Sequence, residues 1–193
     1  GVGEAMRNLQ VGDTDLMGNR FNGHDLHIAL RAQGIESDHL VWHKASDDEH
    51  TFEIARSIPN REGINLAAMA LEAAYSTRAA FTPFSYDLLF DPMFLNADVV
   101  HYHLVHNQFF DVGHLPILSH LKPTVWTLHD PWAITGHCVY PMGCDRWQNG
   151  CGDCPSLALD FAVTHDTTAL NWEIKRLAIQ QSSLDVIVAS RWM

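Results

Sequence analysis

The sequence predicts an α/β fold, a Rossmann-like parallel sheet with helices on both faces, on three observations. Short β-branched runs alternate with helix-forming segments throughout the 193 residues. The chain is long enough for one domain with a full hydrophobic core and too short for two of ordinary size. Its 47% apolar and 18% charged content are those of a globular protein.

Taken in order, a strand is expected around residues 8–12, followed by a loop with glycines at 12, 18 and 23. "FNGHDLHIALRAQG" reads as a helix in which Leu26, Ala29, Leu30 and Gln33 share a face, with Gly34 as its stop. "IESDHLVW" is the second strand, and the polar run 46–61 is read as loop. "NLAAMALEAAYSTRAAF" is rich in helix formers and ends before Pro83. "ADVVHYHLV" is a buried strand, "GHLPILSHL" a helix with proline near its start, and "PTVWTLH" another buried strand. "TTALNWEIKRLAIQQS" is an amphipathic helix, and "LDVIVAS" is a last strand. Ligands of such sheets bind at the carboxyl ends of the strands. The glycine loop, His101/His103, His129/Asp130 and a cysteine-rich loop all fall at or just beyond such ends.

Twelve Lys and Arg against 23 Asp and Glu give a net charge of −11. That balance argues against nucleic acid as a partner, since phosphate binding needs clustered cations. It gives no support for docking on anionic lipid, while leaving peripheral membrane contact open. No apolar run reaches the length of a membrane span, and the start does not read as a signal peptide. Four cysteines then point to a reducing compartment, where clustered thiolates more often hold metal than form disulfides.

All four cysteines lie within "GHCVYPMGCDRWQNGCGDCP". Cys151 and Cys154 form a CxxC turn, which points two thiolates at one tetrahedral ion. Cys138 and Cys144 would complete a four-thiolate zinc site, with His137 as a substitute ligand. Reduced thiols, disulfides and an iron–sulfur or redox role are the alternatives. A closed four-thiolate zinc has no open position for a catalytic water, so it would be a structural staple.

"VVHYHLVH" brings His101, His103 and His106 to a strand end. One reading is a metal-dependent hydrolase, because alternate strand residues project to one side. Val105, however, stands where the His-x-His-x-Asp-His pattern of metallo-β-lactamase-like hydrolases has its carboxylate. The other reading is ordinary hydrogen-bonded histidines at a sheet edge.

The run Thr127-Leu128-His129-Asp130, with Trp132, Thr135-Gly136-His137-Cys138, Tyr140, Cys144, Trp147, Gly150-Cys151 and Cys154-Pro155, resembles a subgroup of bacterial glycosyltransferase family 4 enzymes. These are retaining transferases of GT-B type with "TLHD-x-W-x-x-TGHC…C-x-x-W…GC-x-x-CP". The resemblance continues through Asn171-Trp172, Lys175-Arg176 and "VIVASRWM", and is thin before Asp98.

It implies that this chain is the N-terminal, acceptor-side domain of an enzyme that moves a sugar from a nucleotide-sugar to a glycan or lipid-linked glycan. The nucleotide-sugar domain would lie outside this sequence, and no catalytic metal would be needed. The setting it implies is bacterial surface polysaccharide assembly, in the cytoplasm at the inner face of the membrane. On that resemblance His129 contacts the donor sugar, and Asp130 binds a hydroxyl or orients His129. Gly18-Asn19-Arg20 occupies the place of the family's Gly-Gly-Ala loop near phosphate and acceptor, with only Gly18 kept. His103 and Trp132 are further candidates for sugar contact, Trp132 by stacking, whereas Trp126 inside its strand is expected in the core. A non-catalytic, zinc-stabilised glycan-binding module is the remaining rival.

Overall fold

The computed structural model describes residues 5–17, 23–107, 109–191 and 193. Among them, six strands form one all-parallel sheet in the order β3-β2-β1-β4-β5-β6. They are β1 (Arg7–Thr14), β2 (Glu36–His43), β3 (Thr51–Glu53), β4 (Val99–Tyr102), β5 (Thr124–Leu128) and β6 (Asp185–Val188). The helices are α1 (His24–Ala32), α2 (Arg61–Tyr75), α3 (Pro92–Asn96), α4 (Leu115–Leu121) and α5 (Thr168–Gln180). The strand order reverses between β1 and β4, which makes their carboxyl ends the crevice where such sheets bind ligands.

The two faces of the sheet are chemically unlike, because alternate strand residues point to opposite sides. Leu9, Val11, Leu40, Trp42, Val100, Tyr102 and Trp126 line the apolar core with Phe84, Phe94, Leu115 and Leu118. On the other face Gln10 is in register with His39 and His101. All three are at least nine-tenths buried. α1 closes this polar face with histidines of its own: the His24 and His27 rings lie 6.2 and 5.7 Å from that of His39. His27 bonds Ser37 Oγ at 2.9 Å and Asp48 Oδ2 at 3.0 Å. This serine–histidine–aspartate row is enclosed, with His27 0% and Ser37 2% exposed, so it ties α1 to β2.

Several elements differ from expectation. α1 buries His24 and His27, whereas Leu26, Ala29 and Gln33 face outward. Hydrophobic periodicity fails there because the sheet face beneath offers polar partners. The polar run 46–61 contains β3, a three-residue edge strand. α2 stops at Tyr75, where Ser76 turns into the left-handed region at φ 55° and its carbonyl takes the Asn171 amide at 3.0 Å. A 3-10 turn (Phe84–Phe90) and α3 fill the stretch before β4; Asp91 caps α3, with Pro92 as its first residue.

Candidate functional site

Three chain ends supply the site at the switch point: β1 leads to Asp13, β4 to His103, His106 and Asn107, and β5 to His129 and Asp130. At its centre is a relay of neutral side chains. Gln10 Oε1 is 2.6 Å from His103 Nε2, and His103 Nδ1 is 3.2 Å from His129 Nε2. An amide oxygen only accepts, so His103 Nε2 carries the proton. Neutral His103 then offers the lone pair of Nδ1 to the His129 Nε2–H. Burial, reinforced by the neighbouring histidines, drives the His103 pKa down to about 2. His101, bonded to Thr127 Oγ1 at 2.7 Å, is pushed down to about 4, first by burial and then by His129. Burial lowers His129 too, against the opposing pull of Asp130.

Close packing fixes the relay. Gly23, at φ 98°, starts α1 directly against His103, and a Cβ there would lie 2.8 Å from the ring. Only glycine lets the amino end of α1 approach this edge so closely.

Asp130 acts through a different histidine than its sequence neighbour. Its Oδ2 is 2.7 Å from His106 Nε2, and its Oδ1 takes the Trp132 backbone N–H at 2.8 Å, capping the 3-10 turn Pro131–Ile134. Both carboxylate oxygens have these partners, and the Asp130 charge still acts on His129, opposing the lowering of that ring by burial. Trp132 is only 2% exposed and packs edge-on to His106 at 5.3 Å. It is a wall of the site and has no open face on which a sugar could stack. His103 is 5% exposed, behind the His129 ring it bonds. The cavity lined by His103, His106, His129, Asp130 and Trp132 is about 10 Å³, room for about one water. Gly18, Asn19 and Arg20 lie outside the described residues.

His101, His103 and His106 do not form a metal site. Each ring bonds a different residue, and among the described residues no group of three His, Cys, Asp or Glu is placed to hold an ion.

Asp13 and Arg78 extend the edge. Asp13 Oδ2 takes the Asn107 amide at 3.2 Å, and Arg78 donates to Asn107 Oδ1 at 3.1 Å and to the His106 carbonyl at 3.1 Å. Burial raises the Asp13 carboxyl, opposed by His43, Asn107, His106 and Arg78. Arg78 also lies 3.6 Å over the Phe161 ring. Asp13 could have been found from the strand-end rule; Arg78, in a loop after α2, carries no sequence signal.

The cysteine loop borders this edge. Cys138, Cys144, Cys151 and Cys154 are free thiols that all line one cavity of about 30 Å³, large enough for an ion and far too small for a sugar. Burial raises Cys138 and pushes Cys151 up to about 11, so both are protonated thiols at neutral pH. Four thiols are a donor set of the kind zinc takes, but among the described residues no group of three His, Cys, Asp or Glu is placed to hold an ion. His137 laces the loop together: Nδ1 faces the Phe161 carbonyl at 3.2 Å and Nε2 the Ser156 carbonyl at 3.1 Å. A neutral imidazole donates to only one of the two carbonyls, and Nε2 also lies 3.6 Å from Cys154 Sγ. The loop is seated on the start of α5. Asp166 accepts from Cys154 N at 2.7 Å and Thr168 N at 3.0 Å, and Thr168 Oγ1 accepts from Gly152 N at 3.0 Å.

Fold and site together define a Rossmann-like α/β domain whose polar side chains collect where the strand order reverses. Over 67 residues the chain is 37% identical to the putative colanic acid biosynthesis glycosyl transferase WcaC of Escherichia coli (strain K12). That alignment covers 31% of this chain and 16% of that protein, so the chain spans a small part of its relative. No family profile matches the chain, and no solved structure matches it. Among the described residues no helix is long and apolar enough to cross a membrane.

Proposed function

We propose that this chain is the acceptor-side, N-terminal half of a retaining GT-B-type glycosyltransferase of bacterial surface polysaccharide assembly. It would act in the cytoplasm, at the inner face of the membrane. The observation that carries the reading is the Gln10–His103–His129 relay at the switch point, held against the amino end of α1. The partial similarity to a glycosyl transferase supports the same class.

In front-face transfer the bond between the anomeric carbon and the leaving phosphate oxygen breaks. The bond to the acceptor oxygen forms on the same side, and the acceptor's proton passes to the phosphate. Positive charge grows on the sugar ring and negative charge on the phosphate, so fixed neutral dipoles placed beforehand stabilise the transition state at little reorganisation cost. His129, locked through Nε2, would present its ring to the donor sugar. Gly18, Asn19 and Arg20 would approach phosphate and acceptor. Asp130 holds His106 and the adjoining turn. Cys138, Cys144, Cys151 and Cys154 would hold a structural zinc, which stiffens the loop beside the acceptor and takes no part in the reaction.

The test is calorimetric titration of the chain with glycans and nucleotide-sugars, alongside transfer assays with a labelled donor. Glycan binding without turnover supports the half-enzyme. Robust transfer by these residues alone, or no glycan binding, contradicts it.

A further inference from the structure

A cavity of about 300 Å³ opens beside the site, between α5, the Pro131–Ile134 turn and a 3-10 turn of the cysteine loop, Arg146–Asn149. That is the size at which small-molecule pockets begin. α5 supplies Trp172, Arg176 and Gln180, at the four-residue spacing that puts side chains on one helix face. Trp147 and Gln148 come from the loop, and Ala133 forms part of the wall. Ala133 also lines the small cavity at the His103–His129 edge, so the turn capped by Asp130 stands between the two. Lys175 Nζ donates to the Trp132 carbonyl at 2.6 Å and ties that turn to α5.

The lining combines apolar rings with hydrogen-bond donors, and its charge is already balanced. Trp172 Nε1–H is taken by the Trp147 carbonyl at 2.9 Å, which leaves the half-buried ring as an apolar surface. Arg176, the charged member of the lining, is neutralised on its own helix, where Nε and Nη2 both bond the Glu173 carboxylate. Its Nη1 donates to Gln180 Oε1 at 2.6 Å. A guanidinium only donates, so the Gln180 oxygen faces Arg176 and its NH2 group is left to donate elsewhere. Gln148 adds a second exposed carboxamide. An anion entering here would meet a cation that is already paired. A wholly apolar ligand would strip water from the amides and replace none of their bonds. An uncharged sugar meets both demands. Its C–H face packs on the electron-rich face of an indole, and its hydroxyl oxygens accept from the amides.

We propose that this cavity is a second carbohydrate subsite, which takes an uncharged pyranose unit of the acceptor glycan beyond the unit at the His129 edge. The inference rests on the glycosyl-transfer reading of that edge. Trp147 and Trp172 are the stacking surfaces, and Gln148 and Gln180 the groups that read hydroxyls. A glycan laid across the Pro131–Ile134 turn contacts both places. The cysteine loop and α5 then select the acceptor by a sugar remote from the bond being made.

The test titrates the isotope-labelled chain with the methyl glycosides of glucose, galactose and mannose at millimolar concentrations. NMR follows the indole N–H signals and the His129 ring in the same samples. Saturable movement of Trp147 and Trp172 is expected, with none at Trp42, which is 0% exposed in the core. Gln180→Leu, at an exposed position, keeps the bulk and removes the amide; binding about three- to tenfold weaker is expected, the size of one hydrogen bond. Trp147→Ala removes a ring while keeping the backbone carbonyl that Trp172 uses, and a larger loss is expected. Indole signals that ignore the glycosides while His129 responds, or unaltered affinity in both folded variants, overturn the inference and leave the reading of the edge standing. Movement caused by inorganic phosphate or hexanol, with no response to the glycosides, overturns it too, by assigning the cavity to an anion or an apolar chain. Indole signals that respond while His129 stays still support this subsite and count against the edge. Silence at both places overturns both readings.

Discussion

Asp130 Oδ2 lies 2.7 Å from His106 Nε2, across 24 residues of sequence, while His129 beside it is held by His103. Adjacent residues on one strand end thus have different hydrogen-bond partners, one running into β1 through Gln10 and the other into the turn at Trp132, while the Asp130 charge still acts on His129. Asp130→Ala removes the His106 bond and the turn's cap together. The expected loss is about 2–4 kcal/mol of unfolding free energy, from a charge-assisted bond and an N-cap. Asp130→Asn, which keeps an oxygen for the cap, loses less. A double-mutant cycle with His106→Ala in urea unfolding should show coupling above about 1 kcal/mol. Strict additivity would mean that the pair does not interact.

The buried histidines make stability depend on pH in a stated direction. His101 binds its proton at about 4 in the fold and at about 6.5 when unfolded. Between those values the unfolded chain carries the extra proton, so stability rises with pH there and is lost on acidification. His101 alone would contribute about 3 kcal/mol across the window, and His103, lowered further, acts with the same sign. Asp13, raised by burial, works weakly against them, whereas Asp15 and Asp48, both lowered by their hydrogen bonds despite burial, weaken the fold only at still lower pH. Urea midpoints measured from pH 7 down to 4 should fall, and His101→Gln should flatten the slope. A flat profile in the unsubstituted chain would contradict the assignment.

Gly136 is where the cysteine loop meets α5. A Cβ there would stand 2.5 Å from Thr168 Cβ and 2.7 Å from its carbonyl oxygen, so part of the clash is with backbone that cannot swing away. Gly136→Ala is expected to cost about 1–3 kcal/mol by overpacking and to lower zinc uptake by unseating the loop. Thermal unfolding and metal analysis of the purified variant check both. Stability and uptake equal to those of the unsubstituted chain would show that the loop does not depend on this seat.

Much of the fold was legible because β1, β2, β4, β5 and β6 are short apolar or β-branched runs with helix-forming segments between them. β3 was not, since Thr51–Glu53 is held by edge pairing and carries no apolar pattern. The signals for α3, Asp91 then Pro92, were present and readable as a cap and first turn. α1 misled because apolar periodicity locates a buried face only when the partner surface is apolar, and Gln10, His39 and His101 are not. In the site, strand ends identified His103, His129 and Asp130, but pairing across the sheet was invisible: nothing local says that Asp130 belongs to His106, or that Gln10 anchors His103. Lys175 stood in a motif without a visible role until α5 placed it beneath Trp132.

The most direct measurement is the histidine ring NMR spectrum of the chain during titration with glycans and nucleotide-sugars. His120, at the opposite end of the sheet on α4, serves as the internal control. The account predicts saturable movement of the His129 signal, a smaller response at His103, and none at His120. Sugars that leave His129 unmoved, or that move only His120, would contradict a sugar-handling role for the edge built on Gln10, His103 and His129.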